Sequence, residues 1–328
     1  MSKRTARRSL IQLGMLALTL AVAGAALAQD KWPTKPIRIV VAFPPGGLTD
    51  AYARNYGEYL SGRLGVPVVI DNKPGAGAII GIDAVAKAPA DGYTLGMSTS
   101  GTYWQNRVLY SKLPYNLDKD LTPVAVFPSG PLVVGVPEKL GINTMAEFMQ
   151  YAKKNPTSMG SYAPGAYPHM VADQINRKEG TQIQAVHYRG EGPMWLDLAS
   201  AQSQIAIGSY QAFATVQSRG VKAIGVTGSY RSPKLPEVPT LVEQGLDPRL
   251  VGLEGGLPLM APAGTPEAVL KALSQVAVEG ANTPRAVQLR ETFAIPNKPK
   301  NLEGTRADWA RDVPIWIKLA VDLGIKLD

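Results

Sequence analysis

The sequence has no cysteine and only two histidines. Without thiols, a cysteine nucleophile, a disulfide framework, thiolate metal sites and iron–sulfur clusters are all excluded. His169 and His187 stand in neither a His-x-x-x-His nor a His-Glu-x-x-His spacing, so no metal and no cofactor is expected. No dense Lys/Arg run carries interleaved aromatics, so no nucleic-acid partner is expected. Long apolar runs are also scarce. The one near the N-terminus, 10 to about 23, is broken by Gln12, Gly14 and Thr19 and falls short of the roughly 20 residues that span a membrane.

That run is instead the centre of a secretory signal over 1–28, with Lys3, Arg4, Arg7 and Arg8 before it and Ala26-Leu27-Ala28 as a cleavage site. The expected location is the periplasm. Arg7-Arg8 leaves the export route open between the general and the twin-arginine pathway. Without these four cations the net charge falls from +8 to +4, so part of the basic character belongs to the discarded peptide. A mild positive excess suits an anionic ligand. The 27 Pro and 33 Gly punctuate apolar segments at regular intervals instead of forming tracts, as in a folded domain.

β-rich runs alternate with helical ones. Strands are expected over 37–43, 66–70 and 94–99, with helices over 50–64 and 79–88 between them. Apolar segments at 124–127 and 132–136 follow, then a Thr144-x-x-Glu147 capping box opens a helix to about 154. A loop over 158–169 leads to a helix ending near 178. Strands over 183–187, 204–208 and 221–227 alternate with helices through 195 and to 218. A strand over 257–261 precedes Thr265-Pro266-Glu267, which supplies N-cap, first-turn proline and first-turn acid for a helix, and two more helical stretches close the chain. Nearly continuous apolar strands between helices indicate parallel sheets covered on both faces. The expected fold is α/β, with two similar lobes joined by crossing strands and the C-terminal segment returning to the first. The loops after 43, 99, 158 and 208 should then meet at one cleft beyond the carboxyl ends of the strands.

Phe43-Pro44-Pro45-Gly46-Gly47-Leu48-Thr49-Asp50 joins a strand to a helix, where glycine backbone N–H groups at the positive end of the helix dipole can hold an anion without a cationic side chain. Gly-Gly turns are also ordinary punctuation. Ser98, Thr99 and Ser100 end the third strand; their hydroxyls suit a carboxylate, and Thr99-Ser100 equally suits an N-cap for the helix holding Trp104. Gly96-Met97-Ser98-Thr99-Ser100 approaches the Gly-x-Ser-x-Gly elbow but ends in Ser, which makes a serine hydrolase using Ser98 or Ser100 the rival class. Gly75-x-Gly77-x-x-x-Gly81 departs from the dinucleotide fingerprint and is read as helix packing. Gly160 to His169 is the counterpart loop of the second lobe. Tyr162 and Tyr167 could wall off a ligand, His169 falls in the first turn of the next helix where it orients the loop, and His187 is structural.

Several segments together resemble the Bug family of periplasmic receptors that serve tripartite tricarboxylate transporters. They are Trp32-Pro33-x-Lys35-Pro36-Ile37-Arg38, Phe43-Pro44-Pro45-Gly46-Gly47 with Thr49-Asp50, Asp71-Asn72-Lys73-Pro74-Gly75-Ala76-Gly77, and Ala90-Asp91-Gly92-Tyr93-Thr94-Leu95. Arg231-Ser232-Pro233 with Val238-Pro239-Thr240, Ala261-Pro262-Ala263-Gly264-Thr265-Pro266 and Gly324-Ile325-Lys326-Leu327 follow in order. The resemblance implies a type II periplasmic binding protein, two α/β lobes with a hinge and an interlobe cleft. It implies a non-enzymatic, monomeric receptor that holds a small organic carboxylate largely by backbone amides and passes it to membrane permease subunits, or to a sensory partner. Lobe one is expected at 30–130 plus 254–328 and lobe two at 131–253. Expected ligand contacts are Phe43, Gly46, Gly47, Leu48, Thr49, Asp50, Ser98, Thr99, Ser100 and Tyr103 on one side, and Ser161, Tyr162, Ala163, Gly165, Ala166, Tyr167, His169 and Ser209 on the other. Leu48, Tyr103-Trp104, Tyr162, Pro164, Tyr167 and Gly208-Ser209 depart from the family's usual residues. These departures point to an aromatic or dicarboxylic acid over an amino acid.

Overall fold

The computed structural model describes residues 32–252, 255–324 and 326. The expected signal peptide with its Ala26-Leu27-Ala28 site, the lobe boundary at 253/254, and Ile325 and Leu327 of the terminal motif lie outside the described residues. The chain divides into a short unit through Lys35 and a unit from Pro36 to Asp328. In the short unit the described residues contain a cis Trp32–Pro33 peptide.

In the larger unit, β1 (Ile37–Val41), α1 (Leu48–Leu64), β2 (Val68–Asn72), α2 (Ile79–Ala86), β3 (Thr94–Met97), α3 (Ser100–Leu109), α4 (Leu117–Asp120) and β4 (Leu121–Pro128) come first. β5 (Val133–Pro137), α5 (Met145–Ala152), β6 (Thr157–Ser161), α6 (Tyr167–Glu179), β7 (Ile183–His187), α7 (Glu191–Ala199), β8 (Ile205–Gly208), α8 (Tyr210–Ala214) and β9 (Val221–Val226) build a second group. α9 (Pro248–Val251), β10 (Gly256–Pro262), α10 (Glu267–Gly280), α11 (Pro284–Thr292) and α12 (Leu302–Leu323) complete the chain. Two five-stranded sheets result, ordered β2-β1-β3-β10-β4 and β7-β6-β8-β5-β9. In the first, β1 runs parallel to β2 and β3 while β10 is antiparallel to β3 and β4. The second repeats the pattern, with β5 as the antiparallel strand between β8 and β9. The expected all-parallel sheets are therefore mixed: each lobe takes one strand that arrives directly from the other lobe, and it enters in the opposite direction.

Local chemistry explains most of these elements. α1 buries Tyr52, Ala53, Tyr56 and Leu60, a stripe at helical spacing, and ends where Gly65 takes φ 72 and donates its N–H to Ser61 O. Thr144 caps α5 by accepting from Glu147 N (3.1 Å), but the Glu147 carboxylate returns to the N–H of Asn143 rather than Thr144. The helix after β10 begins one residue later than expected: Pro266 sits at the N-cap, and the Thr265 hydroxyl donates to Pro262 O. β2 lies two residues beyond its expected place. The expected 158–169 loop hides all but the first residue of a strand, β6, which lies between β7 and β8 in the second sheet. Its Thr-Ser-Met-Gly-Ser sequence lacks an apolar run; small residues are required because Met194 presses on Gly160, where a Cβ would stand 2.7 Å from Met194 Cγ.

An apolar core runs from one sheet to the other through Trp104, Met170, Tyr167 and Trp316. α12 supplies its spine: Trp309 and Trp316 pack on Trp104 at ring separations of 5.4 and 5.7 Å, and Trp316 meets Tyr167 of lobe two at 6.1 Å. Among the described residues no helix is long and apolar enough to cross a membrane.

Candidate functional site

α3 begins where β3 ends and α6 begins just after β6, and the two helices touch through Gln105 Nε2 and Met170 Sδ at 3.2 Å. The carboxyl ends of the two sheets are thereby brought side by side. Their leading loops share one construction. In lobe one, Gly46 (φ 93) donates its N–H to Asp50 Oδ2 at 3.0 Å; in lobe two, Gly165 (φ 67) donates its N–H to His169 Nδ1 at 3.1 Å. In each case a glycine in the region that L side chains avoid is tied to an acceptor four residues on, in the first turn of the following helix.

The environments of these acceptors differ. Asp50 is 4% exposed. Burial alone would push its carboxyl up, but Arg54, the Gly46 N–H and the Asn72 amide together outweigh that effect and hold it below the usual carboxylate range. Asn72 also donates to Phe43 O (3.0 Å), so the half-buried Phe43 is fixed through its backbone. Asp50 thus braces the loop and is not free for a ligand. His169 lies beside His187 with rings 4.7 Å apart; burial first and the neighbouring His187 second lower its imidazole below 6.5, against the carboxylate of Asp173. His187 is likewise lowered by burial, opposed by its hydrogen bond to the Ala163 carbonyl.

What the loops leave open is asymmetric. α1 starts at Gly47 with no side-chain cap, so the N–H groups of Gly47, Leu48 and Thr49 have no acceptor among the described residues. Gly47 itself has φ −84, and a Cβ there would meet nothing within 4 Å. In lobe two the corresponding donors are consumed: Ala166 N–H goes to Ala163 O, Tyr167 N–H to the Tyr162 hydroxyl, and Pro168 has none.

Other expected contacts are internally engaged. Ser98, fully buried, bonds Thr102 Oγ1 at 2.6 Å; Thr99 caps α3 by accepting from Thr102 N; Ser100 donates to Gly256 O at 3.0 Å. Ser161 donates to Ala163 O at 2.7 Å. Tyr103 is 1% exposed and packs in the core, edge-on to Trp309, rather than on an open surface. Tyr167 is 8% exposed, with its hydroxyl on Leu250 O. The aromatic departures at 103, 104 and 167 are therefore packing between α3, α6 and α12, and they no longer argue for an aromatic ligand. Leu48, Tyr162, Ala163, Ala166 and Ser209 are half-buried at the strand ends.

Two residues escaped sequence reasoning. Glu191 opens α7 and accepts from Ser209 N–H (3.1 Å to each oxygen) and from the Ser209 hydroxyl, so an acid fills the place that Gly208-Ser209 seemed to leave neutral. Burial raises its carboxyl, opposed by the Ser209 bonds. Its signal was Gly190 at φ 102 before an acidic first helical residue. Arg189 precedes them in the same loop. Among the described residues no group of three or more His, Asp or Glu side chains could hold a metal ion. Two outer grooves, of about 560 and 540 Å³, lie against α12 and between α1 and α11, away from the strand ends.

Residues 52–301 match the family described as the tripartite tricarboxylate transporter family receptor, TctC. Protein BugT of Bordetella pertussis is 31% identical over 96% of this chain and 98% of its own length. An R. palustris protein solved with adipate is 30% identical with a TM-score of 0.80, covering 90% of this chain and 100% of that one. MatC from Rhodopseudomonas palustris, solved with bound malate, is 26% identical with a TM-score of 0.74 over 89% and 99%. These matches and the pair of mixed sheets agree: the chain belongs to the TctC family of tripartite tricarboxylate transporter receptors.

Proposed function

We propose that the protein is exported, matures near Gln29, captures one aliphatic dicarboxylate between its lobes as a monomer, and presents it unaltered to the permease of a tripartite tricarboxylate-type transporter. The lobes comprise 30–130 plus 254–328 and 131–253. The observation that carries this reading is the uncapped start of α1, where three backbone N–H groups lie at the positive end of a 17-residue helix, an arrangement suited to an anion. One carboxylate sits there, against Gly47 to Thr49 with Phe43 and the Gly46 turn beneath. The Thr99–Ser100 helix start flanks it, and the Ser161–His169 loop with Ser209 closes from the other lobe. The ligands of two solved relatives, adipate and malate, are both dicarboxylates. An aliphatic chain fits better than an aromatic ring because Tyr103 and Tyr167 are committed to the core.

The geometry disfavours a hydrolase. Ser98 and Ser100 are bonded to Thr102 and Gly256, and the Nδ1 of His169 accepts from Gly165, so neither of these two serines is bonded to that imidazole. A thermal-shift screen of mono-, di- and tricarboxylates, aromatic acids, amino acids and sugars tests the reading. A ligand at about 100 times its Kd stabilises the folded state by about 2.7 kcal/mol, a shift of at least a few degrees for a chain of this size. Dicarboxylates should produce the largest shift and be recovered unchanged. A response confined to sugars, or turnover of the added acid, would overturn it.

A further inference from the structure

Resting on the dicarboxylate reading, we propose that Arg189 is a specificity-determining residue: its guanidinium takes the ligand's distal carboxylate, so the site is a clamp with an amide end on lobe one and a cationic end on lobe two. The backbone around Arg189 is pinned to the lobe-two ligand loop from both sides, Tyr188 N–H donating to Ser161 O at 2.8 Å and Gly190 N–H to Tyr162 O at 3.1 Å. Tyr188 is held further by its hydroxyl on Asp197 Oδ2 at 2.8 Å. Residue 189 is therefore fixed at the strand end beside Ser161 and Tyr162, while its side chain is exposed.

No acid or carbonyl among the described residues engages that guanidinium. Glu191, two residues on, would be the obvious partner, and a pair of that spacing does form elsewhere in the chain, where Arg249 holds Asp247 at 2.7 Å. Glu191 instead turns to Ser209 and spends both oxygens there. Most other described arginines are paired, for example Arg54 with Asp50, Arg231 with Glu243 and Arg306 with Glu267. An arginine left unpaired beside a ligand loop is the donor that lobe two otherwise lacks, because its first-turn N–H groups are consumed internally. Guanidinium presents two parallel donors matched to a carboxylate.

The test compares adipate with hexanoate, acids of equal chain length that differ by one carboxylate, by calorimetric titration of wild type, Arg189→Gln and Arg189→Lys, with circular dichroism and melting to confirm folding. Arg189→Gln should weaken adipate about tenfold to a hundredfold, the range for one charge-assisted hydrogen-bonding contact, and leave hexanoate within about twofold. Arg189→Lys should recover part of the loss by keeping the charge without the fork. Added salt should weaken adipate in wild type more than in Arg189→Gln. If Arg189→Gln leaves adipate binding intact, or weakens both acids equally, the distal contact lies elsewhere and the proposal fails. Should wild type bind no dicarboxylate at all, the reading beneath it fails instead.

Discussion

Gly46 and Gly47 are adjacent but face different constraints. Gly46 holds φ 93 with its N–H on Asp50, whereas Gly47 has φ −84 and open space where a side chain would stand. Gly46→Val should therefore strain the turn, costing about 1–3 kcal/mol, and misalign the N–H row behind it. Gly47→Val should fold normally and act only by covering that row. Melting curves and carboxylate titrations of both variants separate the effects; a Gly46→Val protein as stable as wild type would contradict the brace. His169 adds a pH dependence. Its imidazole is lowered in the folded protein, first by burial, then by His187, so the unfolded chain binds more protons. The stabilisation is whole above about 6.5, the ordinary value, and is lost as pH falls below it through the folded value. Asn at 169 does not titrate. Wild type should consequently lose more melting temperature than His169→Asn between about pH 7.5 and 5.5; equal losses would show that protonating His169 costs nothing. Asp50 behaves likewise at lower pH, its contribution disappearing below 3.8, through a folded value that Arg54, Gly46 and Asn72 depress despite burial.

At the scale of elements, the aromatic spine on α12 decides how the lobes pack. Trp316 is 5% exposed and its indole N–H has no partner among the described residues, so its value lies in packing against Trp104 and Tyr167. Trp316→Ala should destabilise by about 3–5 kcal/mol, and Trp316→Phe by much less, because no hydrogen bond is lost with the indole. Denaturant melts of both variants check this; an Ala variant within 1 kcal/mol of wild type would mean the spine is dispensable. The same elements explain what could be read in advance. β1, β3, β5 and β8 announce themselves by apolar runs, and α1 and α5 by spacing and caps. β6 stayed hidden because close packing with α7 selects small, polar residues over a β-branched run. Tyr167 suggested a ligand wall and Tyr103 a ligand contact because aromatics beside a cleft and aromatics between helices have the same sequence appearance; only Trp309 and Trp316, more than 130 residues away, identify the partner. Glu191 and Arg189 were missed because their significance depends on which of two nearby groups the acid chooses, a matter of side-chain geometry.

For the whole molecule, two lobes with matched loops but unmatched free donors form a receptor with distinct ends. The Gly-to-acceptor brace appears in both lobes, so this restraint on the leading loops is common to them, while the proposed recognition differs: backbone N–H groups at the start of α1, side chains opposite. The first of these ends is the proposed anion site. A crystal structure of the protein with the dicarboxylate that gives the largest thermal shift tests it most directly. One carboxylate should lie within hydrogen-bond distance of the N–H groups of Gly47, Leu48 or Thr49; a carboxylate bound away from that helix start, with those groups meeting only solvent, would rule this anion site out.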